Sequence, residues 1–301
     1  MDLSIVIVTW NSEEWLKRCL TSIFAHTSDI DFEVIVVDNK SKDQTIRLAM
    51  NSFSGVNVIE NQMNKGWATA VNQGVEASTG RYICVLNPDT ELVDQTMVQL
   101  VEFMDQYPNV GVAGPHLINE DQSTQRSVRR RPRLRDQLMI ILKLHIFFPD
   151  SKSLKHYLWR DFNYQANQEV EQIMGACMMI RREVFEEVGI FDETFFLWFD
   201  EVDFCRRVYD RSKYKIFYNA HIHLLHAGGD SFDKVRQGQK QKWYLKSLRY
   251  YFRKHRHWWS WFVVSFFSPL SSFLGVLSGT FKKSEAGKQL AEKNKDTFKK
   301  A

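Results

Sequence analysis

Runs of β-branched residues alternate, along the first 115 residues, with segments whose apolar residues recur every three or four positions. The runs LSIVIVT (3–9) and FEVIVVD (32–38) are uninterrupted, which is typical of strands buried on both faces of a parallel sheet. Between them, helical spacing relates Trp15, Leu16, Cys19, Leu20 and Ile23. The pattern then predicts helices at 42–53, 67–78 and 92–106 and strands at 56–59, 81–86 and 110–113. Residues 1–115 are therefore predicted to form an α/β half with a mostly parallel sheet flanked by helices.

Polar residues follow three of these predicted strands. In a doubly wound sheet, ligands bind beyond the carboxyl ends of the strands. These ends carry Thr9, Asn11, Asp38, Asn39, Asn87 and Asp89. Neither GxGxxG nor GxxxxGK[ST] follows the first strand, which argues against a dinucleotide cofactor and against a P-loop.

Two charged segments stand out in residues 116–235. The run RSVRRRPRLR (126–135) is interpreted either as a solvated loop or as a phosphate-binding segment. In FLWFDEVDFCRR (196–207), Asp200, Glu201 and Asp203 lie within four positions, directly after the five apolar residues 195–199. A helix start explains Asp203, because acids stabilise a first turn. Asp200 and Glu201 lie at the aromatic edge, where desolvation raises carboxyl pKa values and makes bases useful.

Three histidines occur in HIHLLHAGGDS (221–231). Their HxHxxH spacing suggests a zinc site, but His221 and His223 alternate with apolar residues on one side of a predicted strand. We therefore favour a structural role for these two. His226 precedes a glycine turn and remains a candidate ligand.

The last 66 residues differ from the body. A helix is predicted over 240–257, with Tyr244, Leu248 and Tyr251 on one face and basic residues around the other. Residues 258–281 are uncharged, but contain six serines, Pro269 and clustered tryptophans, which favours a segment lying in a membrane interface over one that spans it. The alternative is a helical hairpin packed on the body. The predicted division is 1–235 (halves 1–115 and 116–235) followed by a basic, aromatic tail, 236–301.

Charge and cysteine usage narrow the setting of the protein. Residues 234–257 contain nine Lys and Arg and no acid, and residues 258–301 contain seven Lys and three acids. Since the whole chain carries +4, residues 1–233 carry −9. The four cysteines lie far apart without a CxxC pair, which fits a reducing compartment. The start MDLSIVIVTWN has no basic n-region, so no cleaved signal peptide is expected.

Six sequence blocks resemble, in order, those of family 2 glycosyltransferases with the GT-A fold. They are SIVIVTWNSEEWLKRCLTSI, EVIVVDNKSKDQT, NKGWATAVNQG, RYICVLNPDTEL, GACMMIRREVFEEVGIFDETFFLWFDEVDFCRR and HAGGDS. The likeness covers residues 3–235 and is greatest to bacterial rhamnosyltransferase-type members that build cell-surface polysaccharides. It implies a Rossmann-like, mostly parallel sheet flanked by helices.

The resemblance also implies a nucleotide-sugar site. It assigns donor contacts to Thr9, Trp10, Asn11, Asp38, Asn39, Asn64, Lys65, Gly66, Asn72, Asn87 and Asp89. Here NPD stands where many members have DxD, so Asp89 matches the metal-binding carboxylate. His226 matches the histidine that commonly completes the site for Mn²⁺ or Mg²⁺.

The acidic segment matches the family's ED-x-D block, with its first pair reversed. Glu201 therefore stands where the catalytic base is usually Asp, and Asp200 remains the alternative. Asp203 is expected to support the site or to cap the helix. Trp198 and Phe199 would form an aromatic wall, and Arg129 and Arg130 would bind the acceptor.

These residues imply an inverting transfer of a sugar, L-rhamnose from dTDP-rhamnose, to a lipid-linked saccharide. The expected location is the cytoplasmic face of the cell membrane, with the tail on its surface. UDP-hexose or UDP-galactofuranose donors are alternatives, as is a non-catalytic nucleotide-sugar-binding scaffold. A nucleotidyltransferase would want a glycine-rich phosphate loop, which VTWNSEEWL lacks. No nucleic-acid partner is expected, because the tail aromatics form an apolar band instead of alternating with the basic residues.

Overall fold

A mixed β-sheet with helices on both sides forms the body of the protein. The computed structural model describes residues 1–228 and 235–281, with side chains up to residue 274. The strands are β1 (Leu3–Thr9), β2 (Phe32–Asp38), β3 (Val56–Glu60), β4 (Tyr82–Leu86), β5 (Thr90–Leu92), β6 (Val110–Ile118), β7 (Val128–Arg129), β8 (Gln168–Glu169), β9 (Gln172–Ile173), β10 (Cys177–Arg181) and β11 (Lys215–His226).

The helices pack around this sheet and beyond its far edge. They are α1 (Glu13–Ala25), α2 (Thr45–Ser52), α3 (Trp67–Ala77), α4 (Thr96–Gln106), α5 (Leu134–Ile141), α6 (Leu144–Phe147), α7 (Lys152–Tyr157), α8 (Arg182–Val188), α9 (Asp200–Arg211), α10 (Gln237–His255) and α11 (Trp258–Phe281). Among the described residues, no helix combines the length and hydropathy needed to cross a bilayer.

The strand order of the main sheet is β3-β2-β1-β4-β10-β6-β11-β5, with β8 paired to β11. Strands β1 to β4 are parallel neighbours, as predicted. Strand β10 runs antiparallel to both β4 and β6, and β11 runs parallel to β6. The predicted α/β class is thus confirmed, with a mixed sheet. Strands β7 and β9 pair separately as a short antiparallel ribbon.

The continuous apolar strands bury both faces, because alternate side chains enter different cores. On β1, Ile5 and Ile7 belong to one cluster, with α1 and α4, while Val6 belongs to the other, with α3 and α9. The carboxyl ends of β1 and β4 therefore hold a fixed position between two packed layers. This rigidity positions the polar residues that follow them.

The two largest differences from the predicted boundaries within residues 1–118 lie at the start of α4 and at the end of β6. The helix predicted from residue 92 begins at Thr96, because Thr90–Leu92 pairs with the end of β11 as an edge strand. The strand predicted to end at 113 continues to Ile118, where it pairs with β11. Both pairings are long-range, so local periodicity does not reveal them.

The predicted tail begins with a helix that packs on the body. Leu248, Tyr251 and Phe252 of α10 share one buried cluster with Phe195 and Phe199. Helix α11 continues through Pro269 and packs against α10 and α5. The two helices thus form a hairpin, the alternative considered above. Residues 229–234 and 282–301, including the end of the HAGGDS block, lie outside the described residues.

Candidate active site

A cavity of about 520 Å³ opens at the carboxyl ends of β1 and β4. The loop before α3, the β7–β9 ribbon, the start of α9 and the helix α10 complete its walls. Thirteen of the predicted site residues line it: Thr9, Trp10, Asn39, Asn64, Gly66, Asn87, Asp89, Arg129, Trp198, Phe199, Asp200, Glu201 and His226. Sequence segments separated by more than 200 residues thus meet in one place.

At the end of β1, residues divide between cavity lining and support. Asp38 is fully buried and accepts hydrogen bonds from Thr9 Oγ1 (2.9 Å) and from Ser41 N (2.7 Å). Asn11, with a positive φ of 54°, accepts one from Lys42 N at 2.7 Å. Asp38 and Asn11 therefore shape the loop after β2, and neither lines the cavity.

Side-chain amides join the residue after β2 to the start of α3 by hydrogen bonds. Asn39 Nδ2 donates to Gly66 O (3.1 Å), and Asn39 Oδ1 accepts from Lys65 N (3.3 Å). Asn64 Oδ1 accepts from Gly66 N at 3.0 Å. The Lys65 side chain is exposed and does not line the cavity. This network fixes the backbone that forms one wall.

Asn72 lies within α3, away from the cavity lining. Its Nδ2 donates to Phe191 O (2.8 Å), and its Oδ1 accepts from Phe191 N (3.0 Å). The Asn72 amide thus pairs with both backbone groups of Phe191, and the Asn72 side chain is only 1% exposed. Asn72 therefore fastens α3 to the segment leading to the acidic cluster.

Asp89 and His226 lie next to each other beside the edge strand β5, where His226 pairs with Thr90. His226 Nε2 lies 3.3 Å from Asp89 Oδ1. Ala227 N donates to Asp89 O (3.0 Å), and Asn87 N donates to Ala176 O (2.9 Å), so both sides of the loop 87–89 are anchored. The prediction that these segments converge on one site is met by the fold.

Gln125 sets the orientation of the His226 ring. The Gln125 Nε2 group donates to Asn119 Oδ1 (3.0 Å) and to His226 O (3.1 Å), which assigns its amide orientation. Gln125 Oε1 then accepts from His226 Nδ1–H at 2.6 Å. In the neutral ring this directs the Nε2 lone pair at the Asp89 carboxylate. The His226 Nε2 lone pair and the Asp89 carboxylate then face each other, and Gln125 holds the ring in place. Such a pair is suited to bind a divalent cation between them.

The donor set is small, which limits the kind of ion that fits. Among residues 1–228 and 235–281, no three His, Cys, Asp or Glu side chains converge as a metal-binding group. His221 and His223 are exposed, whereas His226 is buried, so the three histidines do not converge. One carboxylate and one imidazole leave coordination positions for phosphate and water oxygens, which are the ligands that Mg²⁺ and Mn²⁺ prefer.

The acidic cluster is placed by strained backbone. Trp198 and Phe199 have positive φ angles of 60° and 67°, and two such bulky residues in succession store strain that is typical of functional sites. Phe199 is the N-cap of α9. The turn directs Asp200 and Glu201 into the cavity while Phe199 packs in the core.

Asp200 and Glu201 have different surroundings. Asp200 is 4% exposed, and its Oδ2 is buried with no hydrogen-bond partner among the described residues. Burial, together with the neighbouring Glu201 carboxylate, raises the pKa of Asp200 well above its ordinary value. Glu201 is half-buried at the cavity surface. The pair is therefore suited to hold one proton and one negative charge.

Asp203 points away from the cavity and into an ion cluster. Its carboxylate accepts from Arg207 Nε (2.8 Å), Lys254 Nζ (2.8 Å) and His255 Nε2 (2.5 Å). Burial favours a higher pKa, but the His255 hydrogen bond and the Arg207 and Lys254 charges outweigh it, so the pKa of Asp203 is lowered. Asp203 thus connects α9 to α10.

The predicted acceptor residues separate in the structure. Trp198 and Phe199 line the cavity, as does Arg129. Arg130 lies outside the lining, with its guanidinium 4.3 Å from the Trp159 ring centroid. Arg130 follows the end of β7, where its backbone N donates to Tyr157 O (3.0 Å).

Several cavity residues were not among the predicted site residues. They are Trp67, Ser127, Tyr157, Gln172, Trp243 and Tyr244 in the lining, with Gln125 behind His226. Trp243 and Tyr244 belong to α10, and the Trp243 ring lies 4.9 Å from that of Phe196. The apolar face of the predicted C-terminal helix was the available signal for α10.

Comparison with known proteins places the chain in a family. Residues 4–189 match the family model described as glycosyl transferase family 2. The chain is 24% identical over 269 residues to the N-acetylglucosaminyl-diphospho-decaprenol L-rhamnosyltransferase of Mycobacterium tuberculosis, covering 85% of this chain and 86% of that protein. It is 28% identical over 210 residues to the low-salt glycan biosynthesis hexosyltransferase Agl10 of Haloferax volcanii, covering 68% and 61%.

A solved structure agrees in fold. The mannosyltransferase PcManGT from Pyrobaculum calidifontis, in complex with GDP-Man and Mn²⁺, superposes with a TM-score of 0.54 at 14% identity, covering 97% of this chain and 79% of that one. The family match extends over more than half of the sequence and includes the loop that carries Asp89. The chain therefore belongs to glycosyl transferase family 2, and it is a glycosyltransferase with a GT-A-like α/β fold.

Proposed function

We propose that the protein transfers L-rhamnose from dTDP-L-rhamnose to a lipid-linked saccharide, with inversion at the anomeric carbon, in cell-surface polysaccharide synthesis. The observation that carries this proposal is that one cavity contains both the Asp89–His226 pair and the Asp200–Glu201 pair. A transferase needs one group at the departing diphosphate and another at the attacking hydroxyl. A nucleotide-sugar scaffold would need only the first.

The donor is assigned to the side formed by β1, β2 and α3. Thr9, Trp10, Asn39, Asn64 and Gly66 line this side with a ring, amides and backbone groups, which suit a base and ribose. Asp89 and His226 would hold Mn²⁺ or Mg²⁺, which when bound supplies Lewis-acid stabilisation of the nucleotide diphosphate.

Glu201 is assigned as the general base. In the proposed step, an acceptor hydroxyl oxygen bonds to the anomeric carbon as the bond to the diphosphate oxygen breaks. The hydroxyl proton passes to Glu201, and the nucleotide diphosphate leaves. The raised pKa of buried Asp200 supports this choice, because Asp200 holds its proton more tightly than an ordinary carboxyl group and is a weaker candidate for the base.

The sugar and acceptor are assigned by likeness to relatives. The mycobacterial relative is named as a rhamnosyltransferase acting on a diphospho-decaprenol-linked N-acetylglucosamine. UDP-hexose and UDP-galactofuranose remain alternative donors for the same cavity.

An exposed aromatic surface supports a membrane-bound acceptor. It consists of Trp258, Trp261, Phe262, Phe266 and Phe273 of α11 with Phe147 and Phe148 beside α6. Helix α5 contacts both α6 and α11, and the adjoining α10 exposes Lys242, Lys246, Arg249 and Arg253. Aromatic side chains beside cations suit an anionic membrane interface. We propose that this aromatic face holds the enzyme on the cytoplasmic face of the cell membrane.

Calorimetry with dTDP, UDP and GDP, with and without Mn²⁺ or Mg²⁺, tests the donor site. We expect tight, metal-dependent binding of dTDP and loss of the metal dependence in Asp89→Asn and His226→Ala. A transfer assay with dTDP-rhamnose, UDP-hexoses and UDP-galactofuranose then identifies the sugar. Failure of every nucleotide to bind under either condition would refute the transferase proposal.

Vesicle co-sedimentation tests the aromatic face. With vesicles containing phosphatidylglycerol, Phe262→Ser combined with Phe266→Ser should weaken partitioning at least about tenfold, since each ring contributes apolar contact. Met50→Ser, an equally exposed site on α2 (60%), is the control. Equal partitioning of the double variant and the wild type would rule out this docking surface.

A further inference from the structure

The β7–β9 ribbon presents a polar face that the proposed donor site and base do not use. Arg129 pairs with Gln172 across the ribbon, and Val128 pairs with Ile173. Directly opposed residues share a face, as do residues two apart, so Ser127, Arg129 and Gln172 lie on one side. Val128 and Ile173 are buried in the core. Ser127, Arg129 and Gln172, hereafter the ribbon triad, line the cavity.

Two atoms of the ribbon triad are buried without a partner. Ser127 is 5% exposed and Gln172 is 6% exposed. Within the described part of the chain, neither Ser127 Oγ nor Gln172 Oε1 has a hydrogen-bond partner. A buried polar atom left unpaired destabilises the protein, because it has lost its hydrogen bonds to water without replacing them. One donor-acceptor hydroxyl and one amide oxygen facing a cavity are suited to a polyhydroxylated ligand.

Arg129 lines the cavity, whereas three other arginines of the basic run contact groups outside its lining. Arg126 donates to Arg160 O (3.1 Å), Arg130 lies over Trp159 (4.3 Å), and Arg131 pairs with Glu171 (3.0 Å). For Arg129, no carboxylate lies within ion-pairing distance in residues 1–228 and 235–281. Its guanidinium is half-buried at the cavity. A planar cation in that position matches a phosphate group.

The ribbon triad lies on the same side of the cavity as the base. Tyr157 lines the same cavity as Arg129 and Glu201, and its carbonyl oxygen accepts from Arg130 N at 3.0 Å, next to the ribbon. Helix α9, which carries Glu201, packs against β9. The proposed nucleotide site is formed by other elements, β1, β2 and α3. A ligand on the ribbon triad therefore reaches Glu201 from the acceptor side.

We propose that Ser127, Arg129 and Gln172 form a subsite for a saccharide that carries phosphate at its reducing end. Ser127 and Gln172 bind hydroxyl or amide groups of the sugar, and Arg129 binds the phosphate. The subsite rests on the proposed function, because it presumes that Glu201 activates an acceptor hydroxyl. It restricts the acceptor to the lipid-linked sugar phosphates, as opposed to neutral glycans.

Calorimetry on the full chain tests this subsite with two probes. One is N-acetylglucosaminyl diphosphate bearing a short alkyl chain, and the other is the matching alkyl glycoside without phosphate. Arg129→Gln should weaken binding of the diphosphate probe at least about tenfold, as expected for a charge-assisted contact, and leave the glycoside unaffected. Ser127→Ala should weaken both probes. Arg130→Gln, which removes the same charge outside the cavity, should change neither.

Binding of dTDP and UDP separates this inference from the proposed function. Wild-type protein that binds neither nucleotide refutes the proposed function. Wild-type protein that binds nucleotide but not the diphosphate probe overturns the subsite alone. Arg129→Gln that weakens nucleotide as much as the probe assigns Arg129 to the donor diphosphate instead. Equal losses of diphosphate-probe binding in Arg129→Gln and Arg130→Gln would overturn the subsite, because they would show only a general attraction of anions to the basic run. The melting temperature of each variant is measured alongside, and an unchanged value excludes misfolding.

Discussion

At the scale of single residues, Asp200 and Glu201 show how one turn gives two carboxyl groups different chemistry. Asp200 is almost fully buried, with one unpartnered oxygen among the described residues, and its pKa is raised. Glu201 is half-buried at the cavity surface. A proton is therefore held more readily on Asp200, which leaves Glu201 to accept one.

Removal of the Glu201 charge should stop the chemical step without loss of the donor. Glu201→Gln should lower kcat by about 10²–10⁴-fold, the usual contribution of a general base, and leave the Kd for the nucleotide unchanged. Steady-state transfer kinetics and calorimetry measure these two quantities. Glu201→Asp keeps the acid and should retain part of the activity. A Glu201→Gln enzyme with wild-type kcat would exclude Glu201 as the base.

At the scale of elements, the start of α3 and the segment before α9 approach each other so closely that only glycine fits at position 66. Gly66 has a φ of +90°, and a Cβ there would lie 2.7 Å from Phe196 O. Trp67 N donates to that same oxygen at 3.0 Å. The donor side of the cavity is thereby fixed to the acidic side.

Gly66→Ala should therefore destabilise the protein and impair both binding and transfer. The positive φ alone costs about 1–2 kcal/mol, and the clash adds about 1–3 kcal/mol. Gly55→Ala is the matched control, because Gly55 has a φ of +95° with nothing within 4 Å of an added Cβ. Denaturant unfolding gives both values. Equal losses in the two variants would show that contact with Phe196 contributes nothing.

A second contact between elements is the ion cluster that joins α9 to α10. Asp203 is fully buried there with Arg207 and His255, whose side chains are 6% and 5% exposed. Asp203→Asn should cost about 3–5 kcal/mol at pH 7, because it leaves buried cations without their partner. Lys213→Gln, in a pair whose Lys213 side chain is 71% exposed, should leave the melting temperature unchanged.

The stability conferred by this cluster should depend on pH. The pKa of Asp203 is lowered in the folded protein, so its contribution is present above its unfolded pKa and is lost as the pH falls through the folded one. Burial also lowers the pKa of His255, so folding opposes its protonation and stability declines below about pH 6.5. The difference between wild type and Asp203→Asn should therefore shrink toward acid pH. A constant difference from pH 7 to pH 3 would exclude the linkage.

At the scale of the whole molecule, the C-terminal helices have two separate roles. The inner face of α10 completes the core, through Leu248, Tyr251 and Phe252, and lines the cavity with Trp243 and Tyr244. The outer face of α11 exposes aromatic rings. Folding and the proposed membrane contact therefore depend on different residues of the same region.

Truncation after residue 235 should unfold the protein or lower its melting temperature sharply. Each large apolar side chain lost from the cluster removes about 1.5–3 kcal/mol of burial, whereas a whole domain is stable by only about 5–15 kcal/mol. The full-length double variant Phe262→Ser with Phe266→Ser should melt like the wild type. Thermal unfolding monitored by circular dichroism compares them. A truncated protein that melts cooperatively at the wild-type temperature would contradict the role of α10.

Periodicity was informative wherever an element is decided by its own residues. The runs at 3–9 and 32–38, each with consecutive apolar residues at its centre, predicted β1 and β2 to the residue, because a strand buried on both faces needs apolar residues at successive positions. The edge strand β5 and the β7–β9 ribbon were not predicted. Each has only two or three residues, and each exists because a distant strand pairs with it.

By itself the sequence determined the α/β class, the polar strand ends and the family, because these depend on local apolar patterns and short motifs. Tertiary structure decided which motif residues face one cavity: it directed Asp203 to α10, Arg130 to Trp159 and Asp38 to its own loop. It also placed α10 as a wall of the site and Gln125 behind His226. The physical reason is that burial, hydrogen bonding and charge act between neighbours in space, and such neighbours can lie as far apart along the chain as Asp89 and His226.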